Sequence, residues 1–279
     1  MIVQKIAAFS QGNEGGNPAG VVLLDEAIHE DEMARIAADV GYSETAFAVA
    51  QDTSGKNWRV RYFSPESEVP FCGHATIALG AALGQRTGAG TYVFALNDAT
   101  ITVDAEASKE GMRTTLLSPP THSRDTSDNE FQDVMSLFGL ELDDLDPRLA
   151  PSRIHGGADH IMLPLKERRT LAAMDYDLDQ GRLVMRKHGL VTIMLVFIET
   201  DHSFVVRNAF ASGGVFEDPA TGAAAAAFAG YLRDREWPHG GEFTIRQGED
   251  MGSPSLIKVM MDDKKNAPVR VSGSARVIE

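Results

Sequence analysis

The chain has 279 residues, of which 43% are hydrophobic and 24% are charged, and its formal net charge at pH 7 is −14. This composition is typical of a globular protein, and the length favours two domains of ordinary size. The negative charge argues against nucleic acid and an anionic membrane surface as partners. It does not exclude a small anionic substrate, because local hydrogen-bond donors decide that binding. The single cysteine excludes an internal disulfide and a cysteine-rich zinc site. The N-terminus lacks the pattern of a secretion signal, and we therefore expect a soluble cytoplasmic protein.

Strand-like runs dominate the chain, and clear helices are few. Residues 29–40 predict the first helix, because an acidic first turn suits the helix dipole. Residues 118–130 are polar and rich in turn formers, which makes this segment the best candidate for a linker. Further helices are predicted from two long runs of small apolar residues, after Thr76 and after Thr221, and from residues 131–139 and 177–189.

Two distant stretches, residues 71–76 and 216–221, share the pattern Phe-x-x-x-Ala-Thr. Each follows a strand-like run that ends in an aromatic residue, and each precedes a run of small apolar residues. Their separation by about half the chain indicates an internal duplication with equivalent helix starts. Asp218 fits the capping position of the second helix, and Pro219 fits its first turn. Two helix N-termini that face one cleft would form a pocket for an anion such as a carboxylate.

Strands and helices do not alternate strictly, which favours an α+β fold over a doubly wound parallel sheet. We place an N-terminal domain at residues 1–118 and a C-terminal domain at residues 119–279. The last strand is expected at the end of the C-terminal domain or packed back on the first domain.

Glu44 is the one acid in the segment YSETAF (42–47), where a loop enters an apolar strand. An acid at the start of a strand is usually solvated. Small polar neighbours such as Ser43 would also let Glu44 face a cleft, where a carboxylate can act as a general base. Both interpretations are open from these residues alone.

His74 follows Gly73 at the first predicted central helix, where either a structural role or proton transfer fits. Cys72 is either a small buried side chain or a thiol activated by the helix N-terminus. His155 and His160 are a weak metal signal, since the sequence shows no accompanying carboxylate pattern, and we predict no metal.

Several common functional motifs are absent from the sequence. It contains no Gly-x-Ser-x-Gly elbow, no Walker loop and no Gly-x-Gly-x-x-Gly fingerprint. We therefore predict no nucleotide or other organic cofactor and no serine-hydrolase chemistry. Residues 247–255 join two predicted strands with turn formers and are typical of a loop.

Together these segments resemble the phenazine-biosynthesis PhzF-like family, which has the diaminopimelate-epimerase-like fold. The matching segments run in order along most of the chain, at residues 16–23, 43–47, 71–76, 217–222 and 247–255. The resemblance implies two pseudo-symmetric domains, each a curled, mostly antiparallel sheet around a central helix, with the site between them. It also implies an enzyme without cofactor or metal, commonly a homodimer.

The resemblance also assigns roles to residues. Glu44 matches the family's general acid/base carboxylate, and His74 and Asp218 match polar residues that line the site of its isomerase members. Gly73 and Gly222 match the helix starts whose N–H groups hold the substrate carboxylate. The remaining predicted substrate-binding residues are Ser43, Cys72, Thr221, Gln247 and Gly248.

The chain departs from the family pattern at two positions. Ala223 stands where the isomerases usually have Ser, and Ser253 stands where the loop often has Arg. Both departures remove substrate contacts, which puts the phenazine-pathway substrate in question. Cys72 matches one thiol of the epimerase relatives, and the chain has no second cysteine, so a two-thiol racemase is not expected.

We therefore expect a cofactor-independent isomerase that shuttles a proton on a small, anionic, carboxylate-bearing metabolite, resembling PhzF-type dihydro-hydroxyanthranilate isomerase. Glu44 would move the proton, while His74 and Asp218 would orient the substrate. Residues 72–75 and 217–222 are expected to face one cleft with Glu44 on its wall. Two alternatives are a one-thiol epimerase or dehydratase that uses Cys72 and a catalytically inactive metabolite-binding protein.

Overall fold

The structure is a computed structural model that describes residues 2–109 and 111–278. The chain divides into two compact units. The first contains the residues up to Leu117 together with those from Ser272 onward, and the second runs from Ser118 to Val271. None of the described helices is long and apolar enough to span a bilayer.

The described residues of the first unit form mainly strands, with two helices, α1 (Glu30–Val40) and α2 (Gly73–Thr87). Its strands are β1 (Val3–Ser10), β2 (Asn17–Leu24), β3 (Thr45–Ala50), β4 (Asn57–Phe63), β5 (Glu68–Val69), β6 (Gly90–Ala95), β7 (Thr100–Ser108) and β8 (Gly111–Leu117).

The second unit has more helix. Its helices are α3 (Asp128–Leu137), α4 (Arg168–Ala172), α5 (Leu178–His188) and α6 (Gly222–Asp234). Its strands are β9 (His122–Asp125), β10 (Ser152–His155), β11 (Asp159–Leu165), β12 (Thr192–Thr200), β13 (Ser203–Ala209), β14 (Glu217–Asp218), β15 (Glu242–Gln247) and β16 (Ser255–Met260). The final strand, β17 (Arg270–Ile278), returns to the first unit over most of its length.

The sheet of the first unit closes around α2. Its strands follow the order β1-β2-β3-β4-β6-β7-β8-β17, and β17 pairs with β1 to complete the ring. Small residues let the helix lie close to the strands. A Cβ atom at Gly80 would lie 2.5 Å from Thr114 Cγ2, and one at Gly84 would lie 2.3 Å from Met112 Cε. The Ala- and Gly-rich run is therefore the buried core element of the unit.

The second unit places α6 on one face of the sheet β9-β10-β11-β12-β13-β15-β16. The other face packs against α3 and α5, with a core that includes Val134, Leu163, Met185 and Leu195. Alternate residues of β11 thus face α6 and the α3–α5 layer, because successive side chains of a strand point to opposite faces.

The two units repeat one topology, which confirms the predicted α+β class and the duplication. In each, an antiparallel pair leads to a parallel pair and then to another antiparallel pair, and a two-residue strand precedes the central helix. The next strand pair, β6–β7 or β15–β16, follows that helix in both units and is antiparallel.

The register predicted for the duplication was wrong by about one helical turn. Phe71 follows the short strand β5, whereas Phe216 precedes the corresponding strand β14. Likewise Thr76 lies inside α2, whereas Thr221 is the residue before α6. The error arises because runs of small helical residues look alike when shifted by one turn of about 3.6 residues.

The predicted cap of the second central helix was also wrong. Asp218 pairs with Asn208 in β14, and α6 begins later, at Gly222 with Thr221 as its N-cap. Pro219 therefore lies in the connection between strand and helix, outside the first turn.

Residues 118–130 begin where the chain passes from the first unit to the second, but most of the segment has regular structure and does not form a linker. Residues 122–125 form β9, which pairs with β10, and Ser127 caps α3 through a capping box with Glu130. Helix α3 thus begins three residues before its predicted start, since the cap lies in the polar segment. The predicted helices at residues 29–40 and 177–189 are confirmed as α1 and α5.

Candidate functional site

Glu44 lies in the loop directly before β3. Its carbonyl oxygen accepts a hydrogen bond of 3.1 Å from Gly20 N, which ties the loop to β2. Its side chain is 14% exposed. The atom Oε2 is buried and accepts no hydrogen bond from the described residues, although His74 Nε2 lies 3.3 Å away. An unsatisfied buried acceptor is costly, so this oxygen is suited to take a proton or a ligand donor.

His74 joins four side chains into one group. Its Nε2 lies 3.3 Å from Ser43 Oγ and 3.3 Å from Glu44 Oε2, while Nδ1 lies 3.4 Å from Cys72 Sγ. Cys72 and His74 are both buried. We call Ser43, Glu44, Cys72 and His74 the first cluster. The structure thus brings together the predicted site residues of the first unit, at the start of α2.

Two buried hydroxyl groups fix the start of α2. Thr76 Oγ1 donates a hydrogen bond of 2.7 Å to Cys72 O and lies 2.6 Å from Tyr62 Oη. Because the Thr76 proton is used on Cys72 O, the Tyr62 hydroxyl is the donor in the second contact. Burial raises the pKa of Tyr62, which keeps the phenol protonated for this role. Tyr62 of β4 thus holds the peptide of Cys72 in place through the Thr76 hydroxyl.

The central helices differ at their N-termini from α1, α3 and α5, whereas the short α4 also lacks a side-chain cap from its N-cap residue, Glu167. Side chains of His29, Ser127 and Asp177 cap α1, α3 and α5. Within the described ranges, no side-chain hydrogen bond from the N-cap residue serves α2 or α6, whose N-caps are Cys72 and Thr221. The first turn of a helix carries orphan N–H donors and positive potential, so both starts are suited to anions.

The predicted residues of the second unit form another group around Gln247. Its Nε2 donates to Asp218 O at 2.6 Å and to Thr221 Oγ1 at 3.0 Å, while its Oε1 accepts from Thr221 N at 3.2 Å. Thr221 Oγ1 in turn donates to Asp218 Oδ2 at 2.6 Å. We call Asp218, Thr221 and Gln247 the second cluster. The Thr221 hydroxyl orients the carboxylate of Asp218, and the Gln247 amide in turn fixes that hydroxyl.

A buried polar chain extends the second cluster across three strands. Asn208 Nδ2 donates to Gln247 Oε1 at 3.2 Å, and Thr192 Oγ1 donates to Asn208 Oδ1 at 3.0 Å. His160 Nδ1 therefore donates to Thr192 Oγ1, at 2.8 Å. Burial lowers the pKa of His160 to about 3, so the imidazole is neutral. Sequence reasoning missed Asn208 and Thr192, although a polar residue inside an apolar strand was a usable signal.

Glu217 does not belong to this cluster, although it was grouped with Asp218 at the predicted helix start. Adjacent residues of a strand point to opposite faces. Both Glu217 carboxylate oxygens accept from Arg207 Nε at 3.1 Å, and Arg207 also donates to Ala172 O. Both charged side chains are buried. Glu217 is thus a structural partner that fixes the strand from which Asp218 projects.

Gly248 begins the loop after β15 in a conformation that only glycine adopts easily. Its φ is +78°, and a Cβ atom there would lie 2.2 Å from Ser253 O and 2.9 Å from Pro219 O. The loop is therefore packed against the connection before α6. Gly222, the other predicted glycine of this unit, is the first residue of α6 and is buried.

The histidines of residues 155–160 have separate partners. His155 Nδ1 lies 2.8 Å from Asp159 Oδ1, and its ring stacks on that of His122. His160 instead contacts Thr192. A different group has metal-ligand character: one donor atom each from Glu44, Cys72 and His74 lie within 4.8 Å of one another.

The prediction that the first and second clusters line one cleft stays a prediction.

The fold and the clusters define a class of protein: a duplicated α+β protein with polar groups gathered at the start of each central helix. The model of the phenazine biosynthesis-like protein family matches residues 6–279. The chain therefore belongs to this family.

Relatives and solved structures agree with this assignment. The chain is 28% identical to the uncharacterized isomerase YddE of Escherichia coli K12, over 99% of this chain and 96% of that protein. It is 27% identical to the trans-2,3-dihydro-3-hydroxyanthranilate isomerase of Pseudomonas chlororaphis, over 96% and 93%. The crystal structure of a PhzF-family phenazine biosynthesis protein from Bacillus anthracis matches with a TM-score of 0.86 at 23% identity, covering 99% and 96%.

Proposed function

We propose that this chain is a cofactor-independent isomerase that moves a proton on a small, carboxylate-bearing metabolite. The observation that carries the proposal is the buried Oε2 of Glu44. It has no hydrogen-bond partner among the described residues, and it lies 3.3 Å from the imidazole of His74. A carboxylate in such a position is equipped to accept a proton from carbon and to give it back.

In the proposed reaction, Glu44 takes a proton from an activated carbon of the substrate. The electron pair of the broken C–H bond moves into the adjoining unsaturated system. The protonated Glu44 carboxyl exchanges its proton with solvent and delivers a proton to another carbon on the same face. His74 hydrogen-bonds the substrate and Glu44 in turn, and Ser43 holds the imidazole. The N–H groups at the start of α2 stabilise developing negative charge. No atom is gained or lost, as an isomerisation requires.

Asp218 is proposed to orient polar groups of the substrate. Thr221 and Gln247 fix its carboxylate and its peptide oxygen, so its position is defined before substrate binds. Preorganised polar groups of this kind act without reorganisation during the reaction. Asp218→Asn, which keeps the size of the side chain, should lower turnover while the unit stays folded.

The family relatives support the reaction class more than the substrate. The curated relatives quoted above are named isomerases, at 28% and 27% identity. Ala223 and Ser253 replace a hydroxyl and a basic group of the family pattern, so we propose a substrate with fewer polar contacts than trans-2,3-dihydro-3-hydroxyanthranilate. The cytoplasmic location and the homodimer remain predictions, the latter testable by light scattering.

The test is solvent exchange. The protein is incubated in D₂O with trans-2,3-dihydro-3-hydroxyanthranilate and, separately, with a panel of small unsaturated carboxylates, and deuterium in each compound is followed by NMR. We expect incorporation at carbon with at least one compound. Binding of one or more compounds with no C–H exchange in any member of the panel would contradict the enzyme and favour a metabolite-binding protein.

One contact favours a second candidate. Cys72 Sγ lies 3.4 Å from His74 Nδ1, and a thiol beside an imidazole is the arrangement of a thiol-dependent epimerase or dehydratase. Cys72→Ala separates the two candidates. We expect this variant to keep most of its exchange activity, and loss of activity in a folded Cys72→Ala protein would favour the one-thiol reaction.

A further inference from the structure

The first cluster contains a sulfur, a nitrogen and an oxygen donor in close proximity. His74 Nε2 lies 3.3 Å from Glu44 Oε2 and 3.9 Å from Cys72 Sγ. All three residues offer donor atoms within 4.8 Å of one another. Cys72 and His74 sit on the rigid start of α2, and Glu44 sits on the loop tied to β2.

These separations are close to those around a tetrahedral metal ion. With bonds of about 2.3 Å to sulfur, about 2.0 Å to nitrogen and about 2.1 Å to oxygen, tetrahedral angles place the donors roughly 3.4–3.6 Å apart. The separations of His74 Nε2 from Glu44 Oε2 and from Cys72 Sγ differ from these edges by a few tenths of an ångström. Rotation of the side chains of Cys72 and Glu44 would have to bring Sγ and the carboxylate oxygen, which lie within 4.8 Å of each other, to the remaining edge of about 3.6 Å.

We propose that Cys72, His74 and Glu44 form a binding site for Zn²⁺ and related ions such as Co²⁺. Thiolate and imidazole ligands select these ions over Mg²⁺ and Ca²⁺, which prefer oxygen ligands alone. The buried Oε2 of Glu44 has no hydrogen-bond partner among the described residues, and a metal ion would satisfy it. Three protein ligands leave the fourth position for water or a carboxylate.

The consequence for activity rests on the proposed function. A carboxylate that is bound to a metal ion cannot take a proton from carbon, and an imidazole that is bound through Nε2 cannot orient Glu44. Zn²⁺ is therefore an inhibitor that occupies the acid/base residues reversibly. Chelator should raise the exchange activity of metal-loaded protein and leave that of metal-free protein unchanged.

Binding is tested without substrate, on tag-free protein titrated with Co²⁺. The chain has one cysteine, so a thiolate-to-Co²⁺ charge-transfer band reports on Cys72 alone. We expect one ion per chain, displacement by Zn²⁺, and loss of the band in Cys72→Ser. The affinity for Zn²⁺ should fall by about tenfold or more in Cys72→Ser and Glu44→Gln. The exposed Glu26→Gln serves as the control.

A second measurement uses the unchanged protein, in case a variant fails to fold. Bound Zn²⁺ should slow alkylation of Cys72 by iodoacetamide, whereas Mg²⁺ should not. Absence of both the charge-transfer band and the protection would overturn the site. Failure of the proposed function is distinguishable, because a protein that binds Co²⁺ through Cys72 yet exchanges no C–H keeps the metal site and loses the isomerase. Exchange that Zn²⁺ does not inhibit would overturn the inhibitory role.

Discussion

The buried imidazole of His160 should make the second unit sensitive to mild acid. Its pKa is lowered to about 3 in the folded protein by burial, whereas an unfolded histidine has a pKa of about 6.5. Below pH 6.5 the unfolded chain binds a proton that the folded one does not, so stability present above that pH is lost as pH falls toward 3. Each pH unit corresponds to about 1.4 kcal/mol, which gives a loss of about 2 kcal/mol at pH 5.

The assay compares His160→Asn with the parent protein. The amide of Asn can replace the Nδ1–H donor to Thr192 and does not titrate. In a Trp58→Phe background, Trp237 fluorescence reports urea unfolding of the second unit, since the chain has two tryptophans and Trp237 packs near Phe204.

Between pH 8 and pH 5 the parent should lose about 2 kcal/mol more of its unfolding free energy than the variant. His239, whose pKa burial also lowers, is present in both proteins and cancels in the difference. His122→Gln, at an exposed position of β9, controls for the loss of one imidazole. Equal pH dependence in the parent and in His160→Asn would refute the assignment of His160 as a neutral buried group.

Three further changes test other parts of the structure. Glu217→Gln leaves the buried guanidinium of Arg207 without its ionic partner and should lower unfolding free energy by about 3–5 kcal/mol; a loss below 1 kcal/mol, measured by urea unfolding, would contradict the buried pair. Gly248→Ala should lower the unfolding free energy clearly more than Gly252→Ala. Both glycines have positive φ, but the new Cβ would lie 2.2 Å from Ser253 O at Gly248, whereas it would meet nothing within 4 Å at Gly252. Gly73→Val should weaken the binding of an exchanging substrate, measured by calorimetry, while it lowers the melting temperature only slightly. A variant that loses stability but binds the substrate like the parent would argue against an anion at the start of α2.

The first cluster could largely be predicted from sequence, because local patterns place its members. Cys72 and His74 stand at the start of a helix that composition reveals, and Glu44 stands where a loop enters an apolar strand. Their contact still depends on the pairing of β2 with β3, which no local pattern specifies. The sequence therefore predicted which residues belong to the first cluster, but it did not predict the distances between them.

The polar chain of the second unit could not be predicted in this way. His160, Thr192 and Asn208 lie far apart in sequence and meet because β11, β12 and β13 are neighbours in a fixed register. Glu217 and Asp218 illustrate the same limit, since alternation along a strand sends one of them to each face. Sequence alone did not say which residue faces α6.

The account rests on Glu44 as the group that moves the proton, and the variant Glu44→Gln tests this most directly. The amide keeps the size of the side chain and removes the base, so solvent deuterium incorporation into an exchanging substrate should fall by about a hundredfold or more. Glu26→Gln, at an exposed position of the same unit, should exchange like the parent. Near-parental exchange by a folded Glu44→Gln protein would contradict the mechanism.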